Sequence, residues 1–223
     1  MSKRLTSTRR QRRELKIPAP SRKGNIKIPL AGWISCARVV LIEEGIGAVK
    51  VDRLAKRLNV TRGGFYYHFN QHHKLLEALL DDWRRHNCFT PAQIDASSPA
   101  AALEALQQIS DNLVHERGFD PQYDMAIREW ARISQPVADV VHEVDEQRVE
   151  VLRRIFSGLG CKPKEAAIRA RVYYWHQIGY YAIGVREDTG QRESNLQLYL
   201  EVLGGEKYLE AIAGSRRSSA AAA

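Results

Sequence analysis

Nine consecutive residues, Thr61-Arg62-Gly63-Gly64-Phe65-Tyr66-Tyr67-His68-Phe69, gather a guanidinium, two phenols, an imidazole and two side-chain-free positions. A guanidinium fork fits the O6 and N7 edge of guanine, and phenolic hydroxyls reach phosphate oxygens. Each glycine costs about 1 kcal/mol against alanine inside a helix, so a pair of them needs a reason. Close approach by another surface supplies one, and the first turn of a helix set into the major groove is such a place. The chemistry expected here is therefore recognition of double-stranded DNA. Rival chemistries find less support. His68 and His72 stand four apart, a spacing for metal ligands on a helix, but Asn70-Gln71 interrupts it and no carboxylate follows in register. Asp81, Asp82 and His86 also fall at helical spacing, where exposed charge accounts for them. No Gly-x-Ser-x-Gly turn or Cys-x-x-Cys pair occurs. No catalysis, metal or cofactor is expected.

Two short helices must position these residues. Val51, Leu54, Ala55 and Leu58 fall at i, i+3, i+4 and i+7, one apolar stripe on a helix of two turns. So short a helix needs neighbours to pack against. Ala55 admits the next helix closely, and Asn59 tolerates the left-handed conformation that a sharp turn demands. Thr61 is then expected to cap a second helix, with Val60 and Phe65 buried against the first. Ahead of this pair, Leu30, Ile34, Ala37 and Leu41 predict a further helix, opened near Pro29 and closed at Gly45.

On these residues the chain resembles the TetR family of bacterial one-component regulators. The likeness rests on Ala37, Glu44-Gly45, Leu54-Ala55, Val60-Thr61-Arg62-Gly63 and Phe65-Tyr66-Tyr67-His68-Phe69, within a tract from Leu30 to about Trp83. It implies that Tyr66 holds a phosphate, that Tyr67 and His68 lie along the backbone or groove, and that Thr61, Arg62, Gly63 and Gly64 face base edges. Three positions depart from the family's pattern. Lys50 stands where Thr or Ser usually caps the second helix, and it cannot accept the amide bonds of the first turn. Asp52 offsets this through the helix dipole but occupies the place of a basic or neutral phosphate neighbour. His72 replaces a lysine, which would make a phosphate contact there pH-sensitive. Lys50 and His72 complete the expected DNA-facing set.

Charge is unevenly spread. Residues 1–29 carry ten Lys or Arg against one Glu, residues 30–75 seven against three, and the remainder 17 against 22. With Pro18, Pro20 and Gly24 discouraging helix, residues 1–29 read as a basic, disordered arm that lies along phosphates or enters a minor groove. Cys36, Cys88 and Cys161 are odd in number and lack metal-ligand spacing, which suits reduced thiols in a cytoplasmic, nucleoid-associated protein. No apolar run reaches membrane-spanning length and no signal peptide is evident.

Beyond the motif, helical periodicity continues. Helices are expected over Gln71–Cys88, from Ser98-Pro99 to Gly118, from Asp120-Pro121 to Gln135-Pro136, from Val137 to Leu159, over Pro163–Val185 and over Glu193–Leu203. The fold class is all-α, a three-helix helix-turn-helix domain over 30–75 followed by a larger ligand-binding and dimerisation domain over 76–211. Residues 212–223 read as a disordered tail. Aromatic residues cluster in the second domain, and with the family likeness Tyr123, Ile127, Trp130, Trp175 and His176 are expected to line a cavity for an unknown small-molecule effector. The likeness also implies a homodimer through the last two long helices. The function so read is a transcriptional repressor released from a palindromic operator by that effector. The alternative is a dimeric architectural or partner-docking DNA-binding protein that senses no small molecule.

Overall fold

A computed structural model describes residues 27–91 and 93–221 of the chain. Of the basic arm only Lys27, Ile28 and Pro29 lie within that range, so the expectation for residues 1–26 falls outside the described residues. All regular structure among the described residues is helical. Helix α1 (Leu30–Glu44) starts behind Pro29 and ends at Gly45, whose φ of 80° lies in the left-handed region. A 3-10 turn at Ile46–Ala48 leads into α2 (Val51–Arg57) and then α3 (Arg62–His68). Asn59 has φ 55°, the left-handed turn expected of it. Helix α4 (His72–His86) connects this head to the remainder.

Prolines and caps set the later helix starts. Ser98 accepts from the Ala101 amide at the head of α5 (Pro99–Val114). Asp120 accepts from the Gln122 and Tyr123 amides at α6 (Pro121–Ala131). Helices α7 (Gln135–Gly158) and α8 (Pro163–Ala182) carry proline in their first turns. The final helix, α9 (Thr189–Ala221), starts earlier and runs later than Glu193–Leu203. Its start is fixed by a reciprocal box in which Asp188 accepts from the Gln191 amide while Gln191 accepts from the Asp188 amide. The expected disordered tail from 212 is replaced by helix as far as Ala221. Ala211 is buried and Ile212 packs beside it, and the alanine-rich end has high intrinsic helix propensity. Gly205 breaks α9, with φ 65° and ψ −156°, and the Arg169 guanidinium of α8 fills the break by donating to the Leu203 carbonyl.

Two apolar cores hold these helices. In the first, Trp33, Val40, Leu54, Phe65, Phe69, Leu75, Leu79 and Trp83 of the head pack with Tyr123, Ile127 and Trp130 of α6 and with Val137, Val141 and Val144 of α7. The second joins Phe89, Leu106, Ile109, Phe119, Leu152, Phe156, Tyr173, Tyr174, Leu200 and Tyr208. The head's core therefore runs on into α6 and the start of α7, past the boundary expected at residue 75. No helix among the described residues is long and apolar enough to cross a membrane.

Candidate functional site

Helix α3 is divided lengthwise. Phe65 is fully buried, its ring meeting Trp33 edge-on at 5.5 Å and stacking on Phe69 at 5.1 Å. Those contacts turn Thr61, Arg62, Gly63, Tyr66 and Tyr67 outward together, with Tyr66 and Tyr67 55% and 75% exposed. Thr61 occupies the cap position of α3, but its side chain accepts no amide, a correction to the role expected for it. Gly64 sits at the edge of the outward face. It lies half-buried, less open than Gly63, and a Cβ there would make ordinary contact with the Trp33 ring at 3.6 Å. Lys50 is exposed at the head of α2 and caps nothing through its side chain.

The two histidines turn out to be braces. His68 Nε2 donates to the Ile28 carbonyl at 2.7 Å, and His72 Nε2 donates to the Val49 carbonyl at 2.7 Å. Each spends Nε2 on the protein's own backbone and keeps Nδ1 for any contact outside it. His68 thereby holds the first described residues against α3, where Lys27 also sits over the Tyr67 ring at 5.6 Å. Helix α2 is clamped to α1 by ion pairs, Arg53 with Glu44 and Arg57 with Glu43 at 2.8 Å.

Residues 34–79 match the family model described as bacterial regulatory proteins, tetR family. That match spans the helix-turn-helix head and not the helices that follow it. Its match to the TetC protein of transposon Tn10 from Escherichia coli is 35% identical over 54 residues, 24% of this chain and 27% of that relative's length. Beyond this TetR-type head the likeness is one of fold. The crystal structure of a transcriptional regulator from Rhodococcus sp. Rha1 superposes with a TM-score of 0.52 at 19% identity, covering 84% of this chain and 97% of that one. Mycobacterium smegmatis BioQ gives a TM-score of 0.41 at 22% identity over 79% of this chain and 98% of its own.

In the larger part of the chain, the five residues expected around a ligand are dispersed. Tyr123 and Ile127 are sealed in the first core, where the Tyr123 hydroxyl donates to the Leu79 carbonyl at 2.7 Å and burial raises its pKa. Trp130 is buried there too, and Trp175 is 61% exposed. His176 alone of the five lines the cavity of about 50 Å³ between α5, α8 and α9. Its neighbours include Ser110, Tyr173, Tyr180, Glu187, Arg192 and Tyr199. Ser110 donates to the Leu106 carbonyl and accepts from Tyr173, whose pKa burial pushes up to about 12. Burial lowers the His176 pKa and favours its neutral ring. Arg192 lies against the Tyr180 and Tyr181 rings and donates to the Leu113 carbonyl at 2.6 Å. Tyr173 and Tyr180 belong to the aromatic cluster visible in the sequence. Glu187 and Arg192 gave no signal, being near the α8–α9 turn outside any apolar repeat.

A buried polar network lies between the cavity and the head. Asp124, fully buried, accepts from Trp83 at 3.1 Å, Asn87 at 3.4 Å, Arg148 at 3.2 Å and Arg128 at 2.8 Å. Asp145 takes both terminal nitrogens of Arg128, at 2.9 and 2.7 Å, and accepts from Tyr174 at 2.6 Å. Burial alone would pull the Arg148 pKa down, but Asp124 and Tyr174 outweigh it and keep the guanidinium charged. The end of α4 is thus tied to α6, α7 and α8 through one set of charges.

Proposed function

We propose that the chain is a homodimeric, sequence-specific DNA-binding transcriptional repressor whose hold on a palindromic operator is released by a small molecule. The outward face of α3 carries this reading: Thr61, Arg62, Gly63, Tyr66 and Tyr67 stand together while Phe65 and Phe69 anchor the opposite side. Arg62 and Gly63 meet base edges, Tyr66 meets phosphate, and Lys50 adds a second phosphate contact from α2. Lys27 and Ile28, at the end of the basic arm, lie against Tyr67 and His68 beside the same face.

Dimerisation is supported by apolar residues left uncovered on the last two helices. Ile168, Val172 and Trp175 are exposed at i, i+4 and i+7 on α8, and Leu198, Val202 and Leu209 are exposed on α9. Burying these stripes against a second copy sets the two α3 helices one DNA turn apart, about 34–36 Å. The effector enters the α5/α8/α9 crevice, which must widen, since its present volume of about 50 Å³ suits only a few waters. Adjacent residues of α8 then link the two sites, because Tyr173 lines the crevice and Tyr174 belongs to the network that grips Asn87 behind α4. Only a difference in ligand affinity between the two states shifts DNA binding, by roughly 5- to 150-fold for a coupling of about 1–3 kcal/mol.

Selection from randomised duplexes, followed by gel-shift titration, tests the reading. Tyr66→Phe should weaken all sequences alike, whereas Arg62→Ala should relax preference at one position of each half-site. Binding unaffected by either substitution would overturn the assignment of α3. A ligand that saturates the protein without altering operator affinity would overturn the release mechanism.

A further inference from the structure

A carboxylate on a surface that meets phosphates is electrostatically misplaced unless it acts on something beside it. Asp52, in the first turn of α2, is highly exposed, with Oδ1 3.3 Å from Nε of Arg62 at the start of α3. We infer that Asp52 determines specificity by fixing the Arg62 guanidinium toward one guanine, while its charge weakens binding to duplex of any sequence. This rests on the reading of α3 as the DNA-contacting helix.

The contact runs through Nε, the nitrogen nearest the aliphatic stem. The two terminal nitrogens remain to address the O6 and N7 edge of guanine. Nothing else holds the side chain in place. Gly63 follows it, and a Cβ at that position would meet only the Thr61 hydroxyl, at 3.6 Å. Among the described residues, Asp52 is the one carboxylate within ion-pair distance of Arg62. A long arginine on open surface samples many rotamers, and an anchored one loses less freedom when it binds. The other arginines of α2 are committed elsewhere, Arg53 to Glu44 and Arg57 to Glu43 on α1. The left-handed turn at Asn59 places the starts of α2 and α3 near enough for the pair to form.

The test compares wild type, Asp52→Ala, Asp52→Asn, Arg62→Ala and the Asp52→Ala/Arg62→Ala double variant. Each is titrated with a duplex chosen by selection from a randomised pool and with a scrambled duplex, at one salt concentration. Wild type should favour guanine at one position per half-site, by about 5- to 150-fold for a single two-bond contact. Both Asp52 variants should lose a factor of about two to five in that preference, the range an exposed ion pair supports, while binding the scrambled duplex several-fold more tightly. Arg62→Ala should abolish the preference, and the double variant should match it. In Asp52 variants that fold, as thermal unfolding checks, weaker binding to both duplexes together, or retention of the guanine preference, overturns the inference. Asp52→Asn keeps the side-chain shape and serves if the alanine variant misfolds. Wild-type protein that selects no sequence would instead sink the DNA-binding reading itself.

Discussion

Replacing Asp124 by alanine should destabilise the protein more than any surface ion-pair substitution. The carboxylate is fully buried and accepts four hydrogen bonds, from Trp83, Asn87, Arg148 and Arg128. Arg128 keeps both bonds to Asp145 after the change, so most of the loss falls on Arg148. That guanidinium is 4% exposed, and its Nε already lacks a partner. Besides the Trp83, Phe89 and Phe119 rings it lies against, it would retain hydrogen bonds only to the Tyr174 hydroxyl and the Asn87 carbonyl, neither of them charged. Removing one member of such a buried pair costs about 3–5 kcal/mol. For a domain of this size each kcal/mol shifts Tm by about 2–4 °C, which places the fall at roughly 6–20 °C. Thermal unfolding followed by circular dichroism at fixed protein concentration measures it, concentration being held because dimer formation itself raises Tm.

The companion variant sharpens the test. Asp124→Leu with Arg148→Met removes both charges and keeps similar volume, and should recover most of the lost stability. A fall below 2 °C for Asp124→Ala, or a double variant no more stable than the single one, would refute the argument that unpaired buried charge is what the network prevents.

Deleting residues 1–26 removes nine Lys or Arg and one Glu. If three of those charges neutralise phosphates, the slope of log affinity against log salt should fall by about 2.7, and an unchanged slope would show that the arm makes no phosphate contact. Trp175→Glu should place a charge in the dimer interface and raise the dimer dissociation constant by at least about a hundredfold, the equivalent of ~2.7 kcal/mol; sedimentation showing an intact micromolar dimer would contradict the α8–α9 interface. His115, when protonated, donates from Nδ1 to the Asp111 carbonyl and from Nε2 to Glu193 of α9, and its pKa is raised by the backbone bond at Asp111 and then by Glu193. The stabilisation is complete below the unfolded value of about 6.5 and is lost as pH rises through the higher folded value. Amide exchange at the start of α9 should therefore quicken with rising pH beyond its intrinsic dependence in wild type, and not in His115→Gln.

The head was legible because its constraints are local. Stripe spacing at Val51, Leu54, Ala55 and Leu58, the left-handed Asn59 and the alternation of Phe65 with Tyr66 and Tyr67 each speak within a turn or two of chain. The roles of His68 and His72 were not legible. Their partners, Ile28 and Val49, lie 40 and 23 residues away, and an imidazole on a basic helix looks the same whether it meets phosphate or a carbonyl. Arg148 offered a missed signal. It falls on the apolar stripe of Val141, Val144, Leu152 and Ile155, and a charge at a core position asks for a buried counter-charge. Asp124, beside Tyr123 and before Ile127 on α6, answers it. The start of α9 was also readable from the Asp188 to Gln191 spacing, whereas its extension past Leu203 depends on Arg169 from another helix filling the break at Gly205.

On the proposed function, the distribution of the two cores bears on how a ligand signal would reach DNA. Helices α1, α4 and α6 share one apolar core with the beginning of α7, so α4 does not pivot on its own without opening packed contacts at Leu79, Trp83, Tyr123 and Ile127. Packed cores switch between arrangements instead of deforming gradually. Helix α7 runs through both cores, and around its Arg148 the contacts between them are polar: Asn87, Asp124, Arg148 and Tyr174 bridge them, and the Cys88 amide donates to the Gly118 carbonyl at 2.7 Å. Hydrogen bonds of this kind exchange partners at lower cost than a core repacks. A crevice that widens behind Tyr173 would therefore act on the seam through Tyr174, moving head, α4 and α6 as one body against α5, α8 and α9. Tyr174→Phe isolates that step, since it removes the hydroxyl's bonds to Arg128, Arg148 and Asp145 while keeping the ring in the second core. It should leave operator affinity without ligand within a few-fold of wild type and cut the ligand-induced change, and full ligand response in this variant would place the coupling elsewhere.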